Sequence, residues 1–184
     1  MGFSNGAGGN AFMAASARVA VRPAALADVA AIMSVERTPG FEAVVGRSEE
    51  AEHRAMLAAP GFAYRIGLSE SGEALAFAIL FGLGDRHGNL YLKRIAAVRP
   101  SEGIGTAFLA AVLDEAFGAL GAWRFHLDCF ADNFRAQRAY AKLGFRRDGL
   151  LRQAYRRADG TRTDLVLMAL LKPEWEARRA APAA

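Results

Sequence analysis

Blocks of apolar residues alternate with polar stretches along this chain, and their spacing predicts a mixed α/β fold. Short apolar or alternating runs predict strands at 17–22, 62–68, 74–83, 90–98, 123–130, 145–147, 151–155 and 163–171. Apolar residues at helical spacing, bounded by capping residues and glycines, predict helices at 26–36, 48–57, 104–120 and 133–143. Ser48 is the predicted N-cap of the second helix, and Asp132 or Asn133 that of the fourth. The order β-α-α-β-β-β-α-β-α-β-β is typical of one α/β sandwich around a mixed sheet.

The apolar run at 90–98 is central to this pattern, because a loop with two glycines joins it directly to a helix. Pro100 ends the predicted strand, since proline cannot donate a hydrogen bond to a neighbouring strand. Apolar residues then recur at helical spacing from Phe108 to Leu120. Gly103 and Gly105 lie in the connection, where free N–H groups and the positive end of the helix dipole favour an anion, phosphate above all.

Other phosphate-binding loops do not match this one. A dinucleotide fingerprint needs a third glycine where Phe108 stands, and a P-loop needs Gly-Lys-Ser/Thr, which is missing here. Taken alone, the loop also fits a plain tight turn between a strand and a helix.

A second group of residues lies in the segment DNFRAQRAYAKLGF at 132–145. Asn133, Ala136 and Tyr140 are spaced so that they share one face of a helix. A small residue between an amide and a phenol leaves a shallow groove with a polar group at each end. Two structural roles stay open for the same residues: Asn133 as a helix cap and Tyr140 as an aromatic residue of the core.

The two groups in this order, with a strand between them, resemble the GNAT superfamily of acetyl-CoA-dependent N-acetyltransferases. The residues that carry the resemblance are the glycine loop and the pattern Asn-x-x-Ala-x-x-x-Tyr-x-x-x-Gly-Phe that ends at Phe145. The segment 122–145 is most similar to the branch that acetylates ribosomal-protein N-termini and to its small-molecule relatives. The similarity extends over 18–172, with the specific motifs confined to 95–145.

The resemblance implies a GNAT-like mixed, mostly antiparallel central sheet, splayed in the middle and flanked by helices on both faces. The pantetheine arm of acetyl-CoA would enter between the strands 90–98 and 123–130, and the pyrophosphate would rest on the loop 101–106. Tyr140 would be the catalytic acid near the thioester sulfur. The implied acetyl-CoA contacts are Ala96, Ala97, Val98, Ser101, Glu102, Gly103, Ile104, Gly105, Thr106, Asn133, Ala136 and Tyr140.

One position departs from the family pattern. Pro100 stands where an arginine or glutamine usually precedes the glycine pair. Because such a phosphate site rests chiefly on backbone N–H groups, we expect weaker or altered acetyl-CoA binding and not its loss.

The sequence leaves the base that deprotonates the amine open. Strand alternation puts His126 and Asp128 on one face of their strand and Cys129 on the other. The apolar run around Cys129 predicts a buried, unreactive thiol. Neither metal-ligand spacing nor a Gly-x-Ser-x-Gly motif is present, so we expect no metal and no acyl-enzyme. The candidate bases are Glu36, Glu42, His53, Asp85, His87, Glu102, His126 and Asp128.

Charge and composition restrict the kinds of partner that we expect and the cellular compartment in which the protein occurs. Residues 1–120 carry a net charge of −2 and residues 121–184 a net charge of +6. The basic part has no run of five basic residues, and Tyr155, Arg156 and Arg157 alone do not make a nucleic-acid surface, so nucleic acid is not expected. The longest apolar run, 74–83, is too short to span a bilayer, and no secretory signal is seen. With a single cysteine, a reducing cytoplasm is the expected location.

The ends of the chain differ from its centre. Residues 1–16 are rich in glycine without periodicity, which predicts a disordered tail. The acetyltransferase domain is predicted at 17–173, followed by a frayed tail at 174–184. An exposed edge strand near the C-terminus would permit a homodimer.

The acceptor and one competing function stay open. A protein N-terminus, a polyamine, an amino acid or a drug-like amine all fit the sequence. Several arginines lie in the same region as the glutamates that could attract a cationic amine, which are Glu36, Glu42, Glu49, Glu50 and Glu52. The competing function is a non-catalytic module that binds an acyl-CoA as a sensor.

Overall fold

The computed structural model describes residues 19–42, 44–99, 102–157 and 159–180. In them the strands are β1 (Ala20–Pro23), β2 (Phe62–Leu68), β3 (Ala74–Phe81), β4 (Asn89–Ala97), β5 (Arg124–Phe130), β6 (Arg146–Arg156) and β7 (Arg162–Leu171). The α-helices are α1 (Val29–Glu36), α2 (Glu50–Ala58), α3 (Ile104–Phe117), α4 (Phe134–Lys142) and α5 (Lys172–Ala180). One turn of 3₁₀-helix, Leu26–Asp28, precedes α1.

All seven strands form one sheet in the order β1-β2-β3-β4-β5-β7-β6. Every neighbouring pair is antiparallel except β4 and β5, which are parallel. The predicted mixed, mostly antiparallel sheet with helices on both faces is thereby confirmed.

The sheet opens between its two parallel strands. β4 and β5 are paired only over Asn89–Tyr91 and Arg124–His126, and from there to their carboxyl ends they have no common register. On its other side β4 follows β3 almost to its end, through an irregularity that leaves Lys93 as an extra residue opposite Ile79 and Leu80. The sheet is therefore splayed in its middle, as expected.

Strand alternation divides the core between the two faces of the sheet. Leu90, Leu92 and Phe125 belong to the core under α3, whereas Tyr64, Ile79 and Ala96 belong to the core under α1. The extra residue in β4 shifts the alternation, because Leu92 faces α3 but Ala96 faces α1.

The C-terminal prediction was wrong in part. Residues 172–180 form α5, where the sequence predicted a frayed tail from 174. Pro173 ends the strand but is tolerated in the first turn of a helix, where its missing N–H is not needed. Glu174 accepts a hydrogen bond from the Leu171 N–H at 3.0 Å, and the Trp175 ring packs on Phe117 with 5.3 Å between ring centres. These contacts hold the segment to the domain.

Three other boundaries differ from the sequence-based expectation. The first strand begins at Ala20, and the part predicted before residue 19 lies outside the described residues, as does the tail at 1–16. α2 is capped by Glu49 and not by Ser48, since Glu52 accepts the Glu49 N–H at 2.8 Å. The two short strands predicted at 145–155 are one strand, β6, with two register shifts against β7.

No helix among the described residues has both the length and the apolar character needed to cross a lipid bilayer.

Candidate active site

A cleft of about 920 Å³ lies where β4 and β5 diverge. Its walls come from these two strands, the first turn of α3, α4, and the loop between α1 and α2. Of the residues that the sequence assigned to acetyl-CoA, the cleft brings together Ala96, Ala97, Gly103, Ile104, Gly105, Thr106, Asn133, Ala136 and Tyr140. Val98 and Glu102 do not line it, and Ser101 and Pro100 lie outside the described residues.

The edge of β4 that faces the cleft carries unpaired backbone groups. The Val98 N–H points away from the cleft, because it donates to the Leu75 carbonyl oxygen at 2.8 Å. Successive residues of a strand direct their N–H and C=O groups to opposite sides. The backbone groups of Ala97 and Ile95 therefore point into the gap between β4 and β5.

The first turn of α3 closes one end of the cleft. Gly103 adopts φ of 81°, a left-handed conformation that favours glycine, and a Cβ added there would have no atom within 4 Å. The first helical hydrogen bond runs from the Ala107 N–H to the Gly103 carbonyl oxygen at 3.0 Å. The N–H groups of 104–106 precede that bond, so they have no partner within the helix and can donate to an anion.

Asn133 and Tyr140 lie on α4, at the opposite wall. The Asn133 Oδ1 accepts the Ala136 N–H at 3.1 Å, so this side chain caps α4. The Tyr140 ring packs in the core under α3, with 5.8 Å between its centre and that of Phe145. Its hydroxyl forms no hydrogen bond with the part of the chain that the structure describes. Tyr140 is thus both an aromatic residue of the core and a free donor in the cleft.

Burial decides the protonation state of two groups beside the gap. It raises the pKa of Tyr140, with smaller contributions from Cys129 and Asp128, so the phenol is a hydrogen-bond donor at neutral pH. It also raises the pKa of Cys129 to about 11, with Asp128 adding to the shift. A thiol that stays protonated is a poor nucleophile, in agreement with the expected unreactive Cys129.

The face of β4 and β5 opposite α3 is polar near the divergence. The Tyr91 hydroxyl donates to the Asp128 Oδ2 at 2.8 Å, and its ring lies against His126 with 5.1 Å between centres. Burial, followed by the nearby Arg124 charge, lowers the pKa of His126, which favours neutral imidazole. Asp128 is the one of the eight candidate bases that lines the cleft among the described residues.

Next to this face lies a buried polar cluster that sequence reasoning missed. Glu36 is fully buried, and its carboxylate accepts hydrogen bonds from Arg94 Nη1 at 2.5 Å and from the Ser48 N–H at 3.1 Å. The buried His53 has its Nε2 3.5 Å from the same carboxylate and its Nδ1 3.1 Å from the Tyr64 hydroxyl. Glu36 occupies an apolar position of its helix, which is a signal of a buried charge, but Arg94 lies 58 residues further along the chain.

The remaining candidate bases do not line the cleft. Glu36 and His53 belong to the buried cluster, and the other candidates outside the cleft wall are Glu42, Asp85, His87, Glu102 and His126. Among the described residues, no three histidine, cysteine or acidic side chains are grouped closely enough to hold a metal ion.

Basic side chains dominate the cleft wall. Asp128 is its one acidic residue among those described, and the basic ones are Arg47, Lys93, Arg94, Arg99, Arg135, Arg138 and Lys142. A wall of this charge attracts anionic ligands.

Comparison with known proteins agrees with this geometry. Residues 30–145 match the sequence profile of the Acetyltransferase (GNAT) family. The fold is similar to that of spermidine N-acetyltransferase from Vibrio cholerae in complex with CoA and spermine, with a TM-score of 0.76 and 15% identity over 86% of this chain and 98% of that one. A crystal structure assigned provisionally as an acetyltransferase matches with a TM-score of 0.69 and 28% identity, over 88% of this chain and 90% of that chain. The chain thus belongs to the Acetyltransferase (GNAT) family, and it is an acyltransferase whose co-substrate is acetyl-CoA.

Proposed function

We propose that this enzyme transfers the acetyl group of acetyl-CoA directly to an amine of a small molecule or of a protein N-terminus. The observation that carries the proposal is the gap between β4 and β5, which has free backbone donors along one side and at one end. Tyr140 supplies a free hydroxyl on the opposite wall.

Acetyl-CoA would be held by backbone groups along its whole length. The N–H groups of 104–106 would donate to the pyrophosphate, and the exposed groups of Ala97 to the pantetheine amides. Arg135, Arg138 and Lys142 reach the cleft from α4 and would offset the charge of the phosphates. We leave Val98 and Glu102 out of the site, because the Val98 N–H is bonded to Leu75 and neither residue lines the cleft.

The chain supplies two groups for the chemistry. Acetyl-CoA brings the acetyl group as a thioester, which an unprotonated amine attacks at its carbonyl carbon. Backbone N–H groups on the open edge of β4 would donate to the oxygen that becomes negative in this attack. Tyr140 would donate its proton to the sulfur as the carbon–sulfur bond breaks, and a base or a water chain in the cleft would take the proton that the attacking nitrogen loses. With Cys129 protonated, no covalent enzyme intermediate is needed.

The resemblance of 122–145 to the branch that acetylates ribosomal-protein N-termini, and to its small-molecule relatives, supports both kinds of acceptor in this proposal. The cytoplasm, where acetyl-CoA and reduced thiols occur together, suits a chain with one cysteine. A homodimer is compatible with β6, which is an edge strand exposing Leu150, Leu151 and Tyr155. The non-catalytic acyl-CoA module is not favoured, because the family is one of enzymes.

The proposal is tested by measuring binding and turnover separately. Titration calorimetry of the purified protein with acetyl-CoA, with ATP as the control, should give saturable micromolar binding for acetyl-CoA alone. Release of free thiol from acetyl-CoA should then depend on an added amine, and mass spectrometry should find that amine acetylated. Binding without thiol release across a broad amine panel would identify a sensor instead, and absence of binding would overturn the site itself.

A further inference from the structure

The side of the cleft where we expect the acceptor to bind carries positive side chains and one negative side chain. The side of β4 and β5 that faces α1 carries Arg94 and Asp128, and the loop between α1 and α2 adds Arg47. The acids that the sequence offered as a site for a cationic amine are already bonded elsewhere. Glu36 is bonded to Arg94, Glu42 lies 3.5 Å from Arg47, Glu49 lies 3.5 Å from Arg37, Glu50 is bonded to Arg54, and Glu52 caps α2. None of these five glutamates lines the cleft.

Arg94 is fixed in place with part of its guanidinium unused. Its Nη1 donates to Glu36 and, at 3.2 Å, to the Ser48 hydroxyl. Its Nε and Nη2 donate to no group among the described residues, although the side chain is only 14% exposed. These two nitrogens form one edge of the guanidinium, the arrangement that matches a carboxylate.

Gly46 leaves space beside that edge. A Cβ at position 46 would lie 3.1 Å from Nη2 of Arg94, closer than ordinary contact, and 3.5 Å from Nε, in ordinary contact. The backbone of Gly46 is not in the left-handed region, so its conformation does not demand glycine. The absence of a side chain here therefore matters for access to Arg94.

Asp128 on β5 and Arg94 on β4 line the cleft from the two strands that border the gap. Asp128 lies two residues beyond His126 and Arg94 three beyond Tyr91, the last residues at which the strands are paired. Because Lys93 is an extra residue in β4, both side chains come two regular strand positions after the point where the strands part. One oxygen of Asp128 accepts from Tyr91, and the other accepts from no described group.

From this pairing of charges we propose that the acceptor is a free amino acid: Arg94 binds its carboxylate and Asp128 its ammonium group. The side chain of the acceptor would lie against the apolar wall formed by Phe41, Val44, Val45, Phe130 and Tyr155, so an apolar or aromatic amino acid fits best. The inference rests on the proposed amine acetyltransferase function and names its substrate class.

The test compares each amino acid with analogues that lack the carboxylate. Phenylalanine, leucine and methionine are assayed beside their amides and their decarboxylated amines, with spermidine as a polycation. We expect kcat/KM for the best amino acid to exceed that for its amide by about tenfold or more, the range of a hydrogen bond to a charged group. The amide is a demanding control, because an α-amino group beside an amide has a pKa of only about 7.7–8.0 and is more readily unprotonated.

Two variants assign the preference to Arg94. Gly46→Ala keeps every charge and should raise KM for the amino acid while leaving KM for the decarboxylated amine within about twofold, since only the carboxylate site is crowded. Arg94→Gln combined with Glu36→Gln avoids an unpaired buried carboxylate and should abolish the preference over the amide. Arg54→Gln removes the same charge on the exposed surface of α2 and should leave the preference intact.

The outcomes separate this inference from the proposed function. Efficient acetylation of spermidine or of the decarboxylated amines, at or above the rate of the amino acids, would overturn the inference alone. Thiol release with none of these amines but with a peptide N-terminus would also overturn the inference alone, whereas thiol release with neither, in protein that still binds acetyl-CoA, would overturn the amine acetyltransferase function together with it. A preference that survives in the double variant would remove Arg94 from the site.

Discussion

Tyr140 has two roles, one in the packing of the core and one in the cleft. Its ring is held by the core under α3, whereas its hydroxyl has no hydrogen bond with the described chain and the residue lines the cleft. Tyr140→Phe should therefore keep the ring packing and the affinity for acetyl-CoA while lowering kcat about 100-fold, a typical contribution of a general acid. Steady-state kinetics and acetyl-CoA titration of the same preparation provide the comparison.

The pH dependence adds a second check on this residue. Because the pKa of Tyr140 is raised by burial, loss of its proton should not reduce kcat between pH 7 and about 9. Tyr155→Phe removes another hydroxyl of the cleft wall and should change kcat much less. Equal turnover of Tyr140→Phe and wild type at every pH would show that another group protonates the sulfur.

The first turn of α3 is the element that should bind phosphate. Gly103→Ala places a Cβ where acetyl-CoA would approach and should weaken acetyl-CoA binding about tenfold or more. The same substitution at Gly72 is the matched control, since φ is 84° there and 81° at Gly103 and a Cβ would meet no atom within 4 Å at either site. Both variants should lose about 1–2 kcal/mol of stability from the left-handed conformation.

Calorimetry and denaturant unfolding of the two variants separate the effects. Gly72 lies in the turn between β2 and β3 and does not line the cleft, so Gly72→Ala should bind acetyl-CoA normally. If both variants bind acetyl-CoA as the wild type does, α3 does not hold the phosphates.

An ion pair between Arg65 and Glu115 attaches α3 to the sheet. The guanidinium of Arg65 on β2 donates to both carboxylate oxygens of Glu115 at 2.5 and 2.6 Å, and Arg65 is 6% exposed. Glu115→Gln leaves a buried cation without its partner charge and should lower the free energy of unfolding by about 2–4 kcal/mol. Urea denaturation measures the change, with Glu176→Gln on α5 as a control. A loss below 0.5 kcal/mol, roughly that of an exposed pair, would contradict the role of this contact.

The free energy of unfolding of the whole protein should depend on pH through the ion pair between Arg22 and Asp28. The Arg22 guanidinium beside Asp28 lowers the pKa of that carboxyl from 3.8 to about 2, although burial opposes the shift. A carboxyl with a lowered pKa stabilises the folded state above its unfolded pKa, and this stabilisation disappears as the pH falls from 3.8 to about 2. Asp28→Asn should therefore be less stable than wild type at pH 6, and the difference should vanish near pH 2. Urea unfolding at several pH values measures it; a difference that is constant with pH would contradict the ion pair.

The order of elements could be predicted well because each depends on local patterns. Apolar spacing and glycines placed β4, α3 and β5 within a few residues of their observed bounds, and Asn133 was recognised as a capping residue. Local patterns failed for α5, whose first turn contains Pro173 and whose stability depends on the contact between Trp175 and the distant Phe117. They also failed for Ser48, because its N–H is bonded to Glu36 across the α1–α2 loop.

The family, the glycine loop at the start of a helix and the pattern that contains Asn133 and Tyr140 can be recognised in the sequence, since they depend on residue type and short spacing. The point where β4 and β5 separate, the backbone groups of β4 that stay unpaired and the acids that stay free of ion pairs depend on contacts between distant segments, so they follow only from the fold. Glu36 illustrates the difference: as a residue in a sequence it could attract a cationic amine, but in the fold its charge is bonded to Arg94. The physical reason is that charges act through space, and two residues 58 apart in the chain meet only when the strands and helices pack.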